Sequence, residues 1–98
     1  MRRDEILSIL SLHRKELRKF GVTSIGVIGS AARDELEPYE DLELIVDFDP
    51  DEHVGLSGFV RLERHLCQLF DRTVVLGMPD ALKKWNRQSW LEDAVYAE

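Results

Sequence analysis

Val22-Thr23-Ser24-Ile25-Gly26-Val27-Ile28-Gly29-Ser30 and, after an acidic linker, Asp41-Leu42-Glu43-Leu44-Ile45-Val46-Asp47-Phe48 are the two runs around which this 98-residue chain is organised. The first is rich in Val and Ile and stops at a glycine-serine turn, as a strand entering a loop does. The second alternates: Leu42, Leu44, Val46 and Phe48 share one face, and Asp41, Glu43, Ile45 and Asp47 share the other, because side chains alternate along an extended chain. A hydroxyl-bearing turn beside two carboxylates on one strand face suits a phosphate held together with a hard divalent cation. The same alternation also fits a strand whose polar face is merely solvated and acidic. Asp47 lies too far along the strand to share a cation with Asp41.

Upstream, Ile6, Leu10, His13, Leu17 and Phe20 recur at three- and four-residue intervals, which predicts an amphipathic helix over Asp4 to Phe20 with Gly21 as its stop. Gly26, inside the first strand, predicts a bulge or the close approach of another group. Gly29 to Glu40 is polar, contains Pro38 and reads as a loop or short helical turn. Downstream, Phe59, Leu62, Leu66, Leu69 and Phe70 mark a helix, and Thr73 to Leu76 a third strand, ended by Gly77, Met78 and Pro79. The remainder is helical in pattern. Ala81, Leu82 and Trp85 form one apolar side, Ser89 with Glu92 reads as a capping box, and Trp85, Trp90 and Tyr96 are anchors against the sheet or a second subunit.

The alternation of helix and strand predicts one α/β (α+β) domain over residues 1–98, with a small mixed sheet and helices packed mainly on one face. The carboxylate face of the central strand is expected to be open or covered by a partner. Cys67 rules out an internal disulfide, and His13, His53 and His65 lack metal-site spacing. No apolar span is long enough for a membrane, and Met1 is followed at once by Arg2, Arg3, Asp4 and Glu5, so a cytoplasmic, unanchored protein is expected. The formal charge of -6 argues against direct nucleic-acid binding. Ten acidic residues and no basic one lie between Asp34 and Glu52, whereas Arg14, Lys15, Arg18 and Lys19 cluster on the first helix. Such opposed patches either steer a partner or keep the surface solvated.

Gly29-Ser30-Ala31-Ala32-Arg33, then Pro38, then Glu40-Asp41-Leu42-Glu43-Leu44-Ile45-Val46 resembles the signature of the minimal nucleotidyltransferases of the polymerase-beta-like superfamily. That signature is Gly-Ser-x-Ala-Arg-Gly, a short acidic linker with proline, and Ser-Asp-Ile-Asp-Leu opening an apolar strand. The flanking elements share the layout, so the resemblance covers nearly the whole chain. It implies metal-dependent transfer of a nucleoside monophosphate, AMP from ATP, to a protein hydroxyl. Gly29 and Ser30 would hold the nucleotide phosphates, Arg33 would support the loop or the nucleotide, and Asp41 and Glu43 would be the catalytic, Mg2+-binding pair. The family's members often pair as antitoxins with HEPN-domain ribonuclease toxins, which implies such a small helical partner.

Three positions depart from the pattern. Asp34 follows Arg33 where the family usually has glycine. Glu43 replaces the second aspartate. In Arg72-Thr73-Val74-Val75-Leu76, set against the usual Arg-x-Val-Asp-Leu, Val75 takes the place of the third carboxylate, and Asp71 is the carboxylate nearest to it in sequence. These departures leave a rival reading: an inactive nucleotidyltransferase fold that neutralises a HEPN-type ribonuclease or another partner by direct binding.

Overall fold

The computed structural model describes residues 1–84 and 88–98. β2 (Leu42–Phe48) forms over the residues whose alternation predicts it, with Leu42, Leu44 and Val46 fully buried. It lies between β1 (Val22–Val27), antiparallel to it, and β3 (Val74–Gly77), parallel to it. A two-residue strand, β4 (Val95–Tyr96), pairs with the outer edge of β1, so the mixed sheet runs β3-β2-β1-β4.

The helix predicted over Asp4 to Phe20 is broken at one residue into α1 (Arg3–Leu12) and α2 (Arg14–Arg18). At the break the His13 ring takes up the Ile9 carbonyl through Nδ1 (2.8 Å), while the backbone bonds from His13 N–H to Ile9 O and from Leu17 N–H to His13 O persist. A side chain competing for a helix carbonyl bends the helix without ending it. Gly21, at φ 89°, turns the chain into β1.

α4 (Leu56–Phe70) is longer than its apolar stripe alone suggests and buries Leu62, Leu66 and Phe70. Its left-handed cap is Asp71, at φ 50°. α1, α2 and α4 cover one face of the sheet, where Ile6, Leu10, Leu17, Leu42, Leu44, Val46, Leu62 and Leu66 form the main core. The outer edge of β3 is capped from α4: Leu76 N–H donates to Glu63 Oε2 (3.2 Å) and Val74 N–H to Cys67 Sγ (3.3 Å). Side chains that satisfy an edge in this way keep it from pairing with another chain. They also give Cys67 a structural place.

The opposite face differs from expectation. Its centre, Ile45, is buried by the chain's own C-terminal segment, in a second cluster of Ile28, Ile45 and Leu82 with Trp90, Leu91 and Ala94 packed against it. This cover comes from α5 (Pro79–Lys84) and α6 (Gln88–Asp93). Trp90 thus serves packing, as one of its two readings had it. Trp85 lies outside the described residues.

The end of the chain departs from the helical pattern in two places. Ser89 lies inside α6 rather than at its N-cap, and helix does not continue through Val95, because residues 95–96 turn extended to pair with β1. Gly26 explains the turn to strand. A Cβ there would fall 2.4 Å from Val95 O and 2.8 Å from Tyr96 Cα, so only glycine admits β4 at this distance. Among the described residues, no helix is long and apolar enough to cross a membrane.

Candidate nucleotide site

The antiparallel pairing of β1 with β2 brings the glycine-serine turn to the carboxylates. Ile28 N–H donates to Glu43 O (3.1 Å), which extends the ladder past the end of β1. Gly29 then takes φ 65° and opens the one-turn helix α3 (Gly29–Ala32). A Cβ on Gly29 would stand 2.8 Å from Glu43 Oε2 and 3.9 Å from Trp90 Cζ3. The turn therefore favours glycine for its left-handed backbone, and the Glu43 carboxylate lies close against it.

All five site residues named from sequence meet in one open cleft of ≈ 410 Å³, lined by Gly29, Ser30, Arg33, Tyr39, Glu40, Asp41, Glu43 and Trp90. Three of these carry carboxylates and one a guanidinium, whose Nε is engaged by Glu35 at 3.3 Å. That exposed ion pair adds little stability and leaves Arg33 at the cleft wall. The first amides of a helical turn lack intrahelical acceptors, which suits phosphate oxygens at Gly29 and Ser30.

Comparison with known proteins bears on the family and the fold. A family model described as Nucleotidyltransferase domain matches residues 10–97. The chain belongs to the nucleotidyltransferase domain family. It is 42% identical over 94 residues to Protein adenylyltransferase MntA of Thermococcus cleftensis, covering 95% of this chain and 93% of that one. It is 33% identical over 94 residues to a candidate protein adenylyltransferase of Methanocaldococcus jannaschii, covering 94% of each. A solved structure of a candidate minimal nucleotidyltransferase superposes with a TM-score of 0.78 at 25% identity, over 97% of this chain and 95% of that one.

Against that family pattern, the three departures acquire positions in this nucleotidyltransferase chain. Val75 pairs in register with Glu43 on the parallel strand β3, so both side chains emerge on the same face. Val75 is 42% exposed and offers no oxygen. Asp71 is the left-handed cap of α4 and lies before β3, outside the register that sets Val75 beside Glu43. Among the described residues, no group of three or more His, Cys, Asp or Glu side chains gathers as a metal site. Glu43 extends into the cleft up to the Gly29 turn.

Asp34 keeps the left-handed backbone that a glycine would adopt, at φ 60°. Its carboxylate accepts Arg3 N–H (2.8 Å) and an Arg2 guanidinium N–H (3.2 Å), while Arg3 Nη1 donates to Ala32 O (2.9 Å). The far end of the Gly29-Ser30 turn is thereby tied to the start of α1. The Arg3 amide bond, helped by the charges of Arg2 and Arg3, holds the Asp34 carboxyl below its ordinary value against a smaller effect of burial. A carboxyl depressed in the folded state stabilises it above the unfolded pKa and loses that contribution as pH falls through the folded value. Acid titration of the folded chain should therefore show a loss of stability below about pH 4, and part of it should vanish in Asp34→Asn. Thermal melts of both proteins across that range measure the difference; parallel curves would contradict the tie.

Sequence reasoning missed Tyr39, Glu40, Trp90 and Arg72 as site residues. One nitrogen of Arg72, Nη2, donates to the carbonyls of Glu37 (2.9 Å), Pro38 (3.1 Å) and Glu40 (2.9 Å), clasping the turn immediately before Asp41. Glu40 Oε1 accepts Glu37 N–H (2.9 Å) within the same turn. The Arg of Arg-x-Val-Asp-Leu was the available signal, and the separation along the chain hid its target. Asp47 lies at the other end of the face, accepting Ser24 Oγ–H (3.0 Å), and its charge, with burial as the larger cause, raises the Tyr96 hydroxyl pKa.

Proposed function

We propose that this chain binds a nucleoside triphosphate, ATP, in the Gly29–Glu43 cleft and transfers AMP to a hydroxyl on a partner protein. The observation that carries this reading is the meeting of Gly29, Ser30, Asp41 and Glu43 in one cleft. The names of its relatives support the protein acceptor.

The cleft's chemistry fits a cation that arrives with the nucleotide. Mg2+ is usually held by one or two carboxylates together with substrate phosphates and waters, and Asp41 and Glu43 are two such carboxylates beside a phosphate turn. Bound there, Mg2+ would neutralise phosphate charge and polarise the reacting phosphoryl group. The turn at Gly29 and Ser30 orients the phosphates through its amides, and Arg33 adds a cation at the wall. The acceptor oxygen bonds to the α-phosphorus as the bond to the β-phosphate bridge breaks, pyrophosphate leaves, and the hydroxyl proton passes to water because Val75 cannot take it. The absence of a proton acceptor at that position makes transfer slow.

The family resemblance supports a HEPN-domain ribonuclease as the acceptor, with the pair forming a toxin–antitoxin module in the cytoplasm. Val75 favours a second reading, in which the fold neutralises that same partner by binding alone. The acidic stretch from Asp34 to Glu52 would then dock a basic surface. Co-expression with a HEPN-domain ribonuclease, followed by incubation with Mg2+ and α-labelled ATP, separates the readings. Label retained on the partner supports transfer. An unlabelled complex that survives Mg2+ removal and Asp41→Ala supports binding alone.

A further inference from the structure

We propose that Tyr39 is the platform on which the nucleotide's base stacks, held at the mouth of the cleft by Arg72. The inference rests on the nucleotide reading above and adds the residue that meets the base. Tyr39 lines the cleft yet is 84% exposed, so its ring adds little to the folded core. The backbone around it is held fast. The carbonyls of Glu37 and Pro38 before it and Glu40 after it all accept from Arg72 Nη2, and Glu40 N–H closes the turn onto Glu37 O at 3.1 Å. An exposed aromatic ring on a braced turn is preorganised for a ligand's flat face, because fixing the backbone beforehand lowers the ordering cost of binding.

The remaining cleft chemistry points the same way. The glycine turn, both metal-ligand candidates and Trp90 line the same cleft, and Trp90 also packs against the second core. The turn and the carboxylates suit phosphates with their cation. Tyr39 is the cleft aromatic that the core leaves largely exposed. Stacking on such a ring tolerates any base, since every base has a π-face, so Tyr39 adds affinity for a nucleotide over inorganic phosphates without selecting adenine.

The test is isothermal titration of the full chain, Tyr39→Ala and Tyr39→Phe with Mg2+-ATP and with Mg2+-tripolyphosphate. The exposed position makes all three proteins foldable. Tyr39→Ala should bind ATP about 5- to 100-fold more weakly and tripolyphosphate as before, and Tyr39→Phe should retain ATP affinity. Unchanged ATP binding by Tyr39→Ala, or equal losses for both ligands, would overturn the stacking role while leaving the nucleotide site intact. Loss in Tyr39→Phe equal to that in Tyr39→Ala would assign the effect to the hydroxyl instead. Failure of the unaltered chain to bind either ligand would overturn the nucleotide reading and the platform together. Mass spectrometry after incubation with Mg2+-ATP completes the test. An AMP ester on Tyr39 would make the residue an acceptor and contradict the platform; an unmodified Tyr39 agrees with it.

Discussion

Val75→Asp is expected to transfer AMP about 100- to 10,000-fold faster than the unaltered chain at neutral pH, the range a positioned proton acceptor contributes. Register is the reason. Val75 stands beside Glu43 on the neighbouring parallel strand, so an aspartate there would place its carboxylate on the same face as Asp41 and Glu43, the proposed metal ligands. At 42% exposure the new charge stays in contact with water, and the edge-strand substitution costs at most about 1 kcal/mol in strand preference. Like charges in proximity raise each other's pKa, so without divalent cation the variant should take up protons more readily than the parent. Single-turnover transfer from α-labelled ATP to the partner measures the gain. An unchanged or lower rate would mean that Val75 does not mark the missing proton acceptor.

The other large effect is expected at Asp41, and its sign should depend on metal. In Mg2+, Asp41→Asn removes one of the two proposed anionic ligands and should bind ATP at least about 100-fold more weakly. In EDTA the same variant should bind free ATP no worse than the unaltered chain, because three carboxylates against one guanidinium line the cleft and one repulsive charge has gone. A merely structural role for Asp41 would weaken binding in both conditions alike. Asp41 is exposed at the entrance to β2, so the asparagine variant should fold normally.

How much of this could be read from sequence follows from what each feature depends on. β2 forms over Leu42 to Phe48 as expected, since a strand with one apolar and one acidic face has only one register that buries the apolar side. The meeting of Gly29 and Ser30 with Asp41 and Glu43 was legible for a related reason: a turn ending one strand lies against the start of its antiparallel neighbour. The break at His13 left no mark on periodicity, because the apolar repeat continues across it and the kink arises from a side-chain bond to Ile9 O. β4 was illegible because its two residues follow a helical pattern and extend only where Gly26 leaves room. Tyr39 and Arg72 escaped for the same kind of reason. Their relation exists only after β3 is laid beside β2, which brings Arg72 to carbonyls more than thirty residues earlier in the chain. Asp34 lies between these cases. The family's usual glycine marks the position, and the structure adds the left-handed backbone and the use of the carboxylate at the start of α1.

A cleft that holds a nucleotide together with its cation should show it in binding. Isothermal titration of the purified chain with a non-hydrolysable ATP analogue, with Mg2+ and then with EDTA, tests it most directly. Binding at about micromolar concentrations in Mg2+, lost in EDTA, with no binding of Mg2+ alone in that range, is the result the two-carboxylate cleft predicts. Heat absent in both conditions would contradict it, and the fold would then serve contact with its partner rather than chemistry.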